Sequence, residues 1–194
     1  MFLGGDGWID TVEMFRVGLL SGRFGSGKTL AAVATAERLL KRGVVARCMG
    51  NIPLSFGVSP PEVEVFDYHA DYARDTCFIV DEAWWGFMEF SADRLRATFA
   101  FARKMNQVFL LTSVLPLQQA SRYCFLFCER YYNFGVWGLP LMWYRFHLSA
   151  GRGVLYGRRK QSFFMWLPAQ HFGLFDTKYR PVSIFPIEQE QGGG

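Results

Sequence analysis

Eight consecutive residues, Gly22-Arg23-Phe24-Gly25-Ser26-Gly27-Lys28-Thr29, match the pattern G-x-x-x-x-G-K-[ST]. Each fixed position has a task in holding a polyphosphate. Glycines let backbone N–H groups curl around phosphate oxygens, and a helix that begins inside the loop points its positive end at them. The Lys28 ammonium reaches β- and γ-phosphates, and the Thr29 hydroxyl suits Mg²⁺. Further along, the apolar run Phe78-Ile79-Val80 ends in Asp81-Glu82. A Mg²⁺ in such a site needs a carboxylate at the tip of a neighbouring strand, the place of Asp81. Glu82 then projects toward the γ-phosphate, where a carboxylate accepts a proton from the attacking water or orients it. This combination points to ATP and Mg²⁺ as ligands, and to hydrolysis more than transfer to a small molecule. The competing reading of Asp81-Glu82 is a solvated helix cap.

Other residues carry weaker signals. Thr112-Ser113 closes an apolar run next to where the γ-phosphate should lie, so the Thr112 hydroxyl is placed to sense it. Arg103-Lys104 precedes that run, where two basic residues ordinarily complement a helix dipole. The densest basic cluster is Arg152, Arg158, Arg159 and Lys160, with Tyr156 and Phe163 nearby. A projecting basic ribbon of this kind can follow a nucleic-acid backbone without reading bases; a charge-protected edge strand is the alternative. Trp84 and Trp85 suit packing better than base stacking.

The elements that must position these residues follow from apolar spacing. A strand over 15–21 leads into the glycine loop, a helix over 29–42 stops at Gly43, and strand 44–49 turns at 50–53. A short helix over 67–75 precedes strand 76–80. A helix over 91–104, capped by Ser91, precedes strand 108–112, and a short helix falls around 118–122. The order β-α-β-α-β is that of an open α/β sheet. A β-rich part about 124–180 follows, with strands at 124–132, 142–149 and 154–164, the last two joined by Ala150-Gly151-Arg152-Gly153 as a hairpin. The expected organisation is a flexible segment 1–14, a single domain 15–180 with a C-terminal β-hairpin extension, and a loose tail 181–194.

Composition narrows the class. With 194 residues, 51% hydrophobic and 18% aromatic, the chain has enough apolar surface for one compact domain. Its net charge of +4 suits a polyanionic partner. Cys48, Cys77, Cys124 and Cys128 are too few for a disulfide scaffold and read as reduced core residues. No CxxC pair exists, and His69, His147 and His171 lie far apart, which disfavours zinc. The start of the chain lacks the basic-then-apolar pattern of a signal peptide. No integral membrane segment is expected: 108–117 is too short, and 123–146 is interrupted by Glu129, Arg130, Asn133 and Arg145. The aromatic excess favours an oligomer.

The glycine loop, Asn51-Ile52-Pro53-Leu54, Ile79-Val80-Asp81-Glu82-Ala83-Trp84, Arg103 before the strand ending Leu111-Thr112, and Phe175-Asp176-Thr177-Lys178-Tyr179 together resemble two groups of ATPases. One is the zonula occludens toxin-like ATPases of filamentous phages; the other is the packaging ATPases of tailless, membrane-containing icosahedral viruses. Both belong to the HerA/FtsK superfamily of ring-shaped DNA motors. The resemblance implies a P-loop NTPase with a RecA-like, mostly parallel sheet flanked by helices. It implies that Gly22 to Thr29 bind nucleotide, Thr29 and Asp81 hold Mg²⁺, Glu82 activates water, and Arg103 is an arginine finger offered to a neighbouring subunit. It further implies a homo-oligomeric ring, expected to be a hexamer, that hydrolyses ATP to translocate DNA into a preformed capsid. Such a motor would dock on a capsid vertex or a viral membrane protein and be found in the virion or the host cytoplasm. Where these proteins often carry Thr-Gln at the end of the fourth strand, this chain has Thr112-Ser113, with Gln118 and Gln119 several residues later. Extrusion ATPases usually continue into a transmembrane segment, and the stop after Asp176-Thr177 favours packaging over extrusion. A nucleotide-gated docking module is the third reading.

Overall fold

The computed structural model describes residues 2–3, 7–21, 24–57, 73–83, 99–114, 126–136, 139–148, 160–166 and 173–175. In chain order the elements are β1 (Phe2–Leu3), α1 (Gly7–Phe15), β2 (Val17–Ser21), α2 (Lys28–Lys41), β3 (Arg47–Gly50), β4 (Thr76–Val80), β5 (Val108–Ser113), β6 (Leu126–Val136), β7 (Leu139–Leu148) and β8 (Lys160–Trp166). The architecture is α/β. Strands β3, β4, β5 and β2 form a parallel sheet in that order, with β6 added in parallel beside β2. Beyond β6 the sheet continues antiparallel through β7, β8 and β1.

Burial on both faces explains why the central strands read as continuous apolar runs. All five residues of β4 and all six of β5 are buried. Alternation assigns them to faces. Leu20, Cys77, Ile79, Val108 and Leu110 meet α2 and the α1 residues Ile9 and Val12. On the other face Phe78 and Phe109 stack with centroids 5.1 Å apart, and Phe99 meets Phe109 edge-on at 5.2 Å. Alanine fills much of α2, with Ala31, Ala32, Ala34 and Ala36 all buried, so a strong helix former also lets the helix lie close to the strands. Its end is a Schellman motif: Gly43, at φ +69°, donates to the Leu40 carbonyl, and Val44 donates to that of Leu39, each at 3.0 Å.

The structure departs from expectation in several places. Residues 7–15, expected to be loose, form α1, because Ile9 and Val12 fall one helical turn apart and both are buried; β1 pairs with β8. The second strand begins at Arg47, after Ala46 and Arg47 donate to the Asp75 carbonyl. Of the helix expected over 91–104, residues 99–101 are helical and 102–106 form turns, so Arg103 and Lys104 lie beyond the helix. The strands expected to form the C-terminal hairpin do pair: β7 and β8 are antiparallel, with His147 opposite Lys160, and the turn expected at 150–153 lies outside the described residues. The antiparallel pair with the short connection is β6–β7, in which Val136 faces Leu139. The expected helices at 67–75 and 118–122 lie largely or wholly outside the described residues.

Cys48 and Cys77 are free, buried and in register across β3 and β4. Burial, and then the hydrogen bond and charge interaction with Cys48, push the Cys77 thiol up. Raised, buried thiols are poor nucleophiles. Among the described residues no helix is long and apolar enough to cross a membrane.

The segment after β3 folds back on it closely. A Cβ at Gly57 would stand 2.6 Å from the Cys48 carbonyl oxygen, whereas one at Gly173 would meet nothing within 4 Å. Gly57→Ala is therefore expected to destabilise the fold by about 1–3 kcal/mol, and Gly173→Ala by no more than about 0.5 kcal/mol. Urea denaturation of the two variants checks this; equal losses would contradict the close approach.

Candidate functional site

Because β2, β3, β4 and β5 run parallel, their C-terminal ends open on one edge of the sheet. Ligands of open α/β sheets bind outside such ends, at the point where successive connections leave in opposite directions. Here that point is β2: the chain leaves it through α2 to the far strand β3, steps back through β4 and β5, and crosses β2 to reach β6. The glycine loop leaves the end of β2, and Asn51, Asp81 and Thr112 stand at the ends of β3, β4 and β5.

The loop turns into α2 through two left-handed glycines, Gly25 at φ +69° and Gly27 at φ +83°. A side chain at either position would be strained. Gly27 is the N-cap of α2, no side chain caps the helix, and its first turn carries no acidic residue. Lys28, 6% exposed, places its ammonium 5.9 Å from the centre of the Phe24 ring, which is itself 80% exposed. The Ser26 hydroxyl is buried with no hydrogen-bond partner. An uncapped helix start, a buried cation and an unpartnered buried hydroxyl at one loop fit an anion.

Asp81 is the junction of the site. Its Oδ1 accepts the Thr29 hydroxyl from α2 and the Thr112 hydroxyl from β5, each at 2.6 Å. These lengths are those of charge-assisted O–H···O⁻ bonds. The Asp81 peptide is held from the other side by Asn51: the side-chain Nδ2 donates to the Asp81 carbonyl at 2.8 Å, and the Asp81 N–H donates to Asn51 Oδ1 at 2.7 Å. The Glu82 N–H donates to Thr112 Oγ1 at 3.1 Å. Glu82 has φ +51°, a left-handed conformation rare for a residue with a Cβ, which turns its side chain off the line of the strand.

Thr29 and Asp81 thus meet directly, a hydroxyl and a carboxylate of the kind that bind Mg²⁺ together with substrate phosphates. Among the described residues no group of three or more His, Cys, Asp or Glu could hold a metal by itself. Phe24, Gly25, Ser26, Gly27, Lys28, Thr29, Asp81, Glu82 and Thr112 lie around this edge, but the Thr112 proton is engaged by Asp81. Arg103 is elsewhere. It is exposed beyond the start of β5, and its Nη2 donates to the Met14 carbonyl near the end of α1 at 2.7 Å. Gly22, Arg23, Arg152, Arg158 and Arg159 lie outside the described residues, and Lys160 opens β8. Asn51 entered the sequence reading only as part of a motif; its amide is the piece of the site that reading missed, and the signal was a polar residue directly after a buried strand.

Compared with models of known protein families and with curated proteins, the chain matches none.

Thr112→Val removes both hydroxyl bonds and should cost about 1–3 kcal/mol. Thr112→Ser keeps the hydroxyl and gives up one buried methyl, at about 0.8 kcal/mol. Denaturant unfolding ranks the two, and the reverse order would mean that the methyl group, not the hydroxyl, holds the strand ends together.

Proposed function

We propose that this chain is a Mg²⁺-dependent ATPase and the subunit of a ring motor that moves viral DNA into a preformed capsid. One observation carries the hydrolytic reading: Thr29, from the loop-bearing helix, and Thr112 both donate to Asp81 Oδ1, with Glu82 the next residue. A triphosphate bound at this edge would lie against the loop N–H groups and the start of α2, with Lys28 at its terminal phosphates. Thr29 and Asp81 would hold Mg²⁺, which when bound offsets phosphate charge. Glu82 takes the proton of the attacking water as the water oxygen bonds to the γ-phosphorus and the bond to the ADP oxygen breaks.

The place of Arg103 supports a ring. It precedes β5, whereas Thr112 lies near the end of that six-residue strand. At about 3.3 Å per residue the strand spans about 20 Å, so Arg103 cannot serve its own chain's site. In a head-to-tail assembly opposite faces of neighbouring subunits meet, and closed rings follow when the rotation closes. Arg103 would then supply the cation that the developing charge on the transferred phosphate requires. The translocation reading is supported by the resemblance, the net charge of +4, and the basic residues Arg152, Arg158, Arg159 and Lys160 between β7 and the start of β8. It implies sequence-independent DNA contact and docking on a capsid vertex or viral membrane protein, in the virion or the host cytoplasm.

Lys28→Ala is expected to abolish ATP binding, while Glu82→Gln keeps binding and loses turnover by about a hundredfold or more. Duplex DNA should raise the rate of hydrolysis, and added salt should weaken that effect. Calorimetric titration with ADP and a phosphate-release assay measure both; a chain that binds nucleotide without DNA stimulation would be a docking module rather than a motor. Arg103→Ala should cost on the order of a thousandfold in rate. Mixed with Glu82→Gln subunits it should regain hydrolysis at hybrid interfaces, since one partner keeps the glutamate and the other the arginine. A mixture of exchanging subunits that never exceeds either parent removes Arg103 from the neighbour's site.

A further inference from the structure

We propose that Asn51 is a positioning residue: its side-chain amide holds the Asp81–Glu82 turn so that the Glu82 carboxylate faces the phosphate loop. The inference rests on the hydrolytic reading above for its catalytic consequence and on geometry for the hold itself.

Strands β3 and β4 pair in parallel up to Gly50 and Ile79, and the Asn51 N–H still donates to the Ile79 carbonyl at 3.3 Å. There the backbone ladder ends. The Asn51 side chain continues it, because one planar amide carries both the donor and the acceptor that the Asp81 peptide needs. No other short side chain offers the two on separate atoms of one plane: a serine or threonine hydroxyl has both on a single oxygen, aspartate has the acceptor alone, and alanine has neither.

What this rung restrains is an unfavourable conformation. Glu82 at φ +51° sits in a conformation that is costly for a residue with a Cβ and that persists only where the surroundings over-determine it. Asn51 holds the peptide on one side of the turn, and Thr112 holds the Glu82 N–H on the other. With the Asn51 rung removed, the turn can relax toward ordinary backbone angles, and the Glu82 carboxylate swings with it.

Asn51 can act as a fixed point because its own segment is anchored. It is 3% exposed, and Ile52 and Leu54 after it are buried. Leu54 bridges antiparallel to Phe175, and the Ser55 N–H donates to the Leu174 carbonyl at 2.9 Å. Before it, a Cβ on Gly50 would come within 2.9 Å of Leu54 Cδ1, and after it Gly57 rests against the Cys48 carbonyl. The motif Asn51-Ile52-Pro53-Leu54 is therefore a strap. One end grips the carboxylate turn, and the other is tied to residues 174–175.

The test compares the full chain with Asn51→Ala and the isosteric Asn51→Asp. Three quantities are read: the affinity for ADP with Mg²⁺, kcat for ATP hydrolysis, and amide hydrogen exchange at Asp81 and Glu82. Misplacing a catalytic group by about an ångström can cost on the order of a hundredfold, so kcat should fall by about tenfold or more while affinity stays within about threefold. Exchange at Glu82 should quicken in both variants, and at Asp81 in Asn51→Ala, since Asn51→Asp keeps the acceptor for the Asp81 N–H. Should Asn51→Ala fail to fold, Asn51→Asp still decides, since it keeps the shape and loses the donor. The proposal is overturned if kcat stays within about twofold, given the size of the expected effect, if affinity and kcat fall together, or if exchange is unchanged. An unsubstituted chain that neither binds nor hydrolyses ATP overturns the hydrolytic reading and, with it, the catalytic part of this inference. Exchange at Asp81 and Glu82 then decides the hold alone.

Discussion

The site depends on one oxygen atom shared between two hydroxyls. Asp81 Oδ1 receives Thr29 from α2 and Thr112 from β5 while its own peptide is held by Asn51 after β3, so three strand ends and one helix converge on a single residue. Removing the carboxylate would leave two hydroxyls without their acceptor at a half-buried junction. Charge-assisted bonds of this length are strong as well as directional. The same bonds fix the distance between the loop-bearing helix and the carboxylate strand, which a phosphate and its cation would have to span.

Much of this was legible in the sequence, and for identifiable reasons. The glycine loop, the strand ending at Asp81, and the hydroxyl at the end of β5 are local patterns: glycine where φ must be positive, apolar runs where both faces are buried, polar residues where a run stops. Strand order is not local. Nothing in the apolar spacing distinguishes β5 from β4 as the neighbour of β2, because both are buried on both faces; the structure pairs β2 with β5. The helix α1 was missed because the glycines and aspartates around it outweigh a short stripe of Ile9 and Val12. The antiparallel pairing of β7 with β8 was legible as a hairpin, but its register, with His147 opposite Lys160, is set by cross-strand partners that local spacing does not name. Asn51 carries no pattern of its own; its role exists only where two strand ends lie side by side.

The two edges of the parallel sheet use unusual backbone differently. At the N-terminal edge Arg16, Asp75 and Asn106 all have positive φ. There the left-handed residues are laced into the backbone network: Arg16 donates to Val12 and accepts from Phe109, Asp75 bonds Met105, Ala46 and Arg47, and the Asn106 side chain reaches Val44 and Asp75. Arg103 adds its bond to the Met14 carbonyl, where the negative end of α1 favours a cation. The Arg16 Nη1 is nevertheless buried at this edge without a hydrogen-bond partner.

At the C-terminal edge the irregularities are of another kind. Gly25 and Gly27 bend the loop, α2 starts without a side-chain cap, the Ser26 hydroxyl is buried without a partner, and Phe24 is held out in solvent above Lys28. The helix start without a side-chain cap, the buried lone hydroxyl and the exposed ring go against local rules of stable structure, and all fall within Phe24 to Lys28. Sequences that specify a fold agree with such rules nearly everywhere, and the exceptions gather where function requires them. An exception already met by backbone bonds, like those at the opposite edge, needs no ligand to explain it. The Ser26 hydroxyl, buried without a partner, and a helix start without a side-chain cap are features that suit an anion, and the Thr29 hydroxyl ties this helix to the Asp81 junction. Buried groups without a partner occur at both edges, so it is the glycine loop and the Asp81 junction together that mark the ends of β2 and β4 as the candidate site.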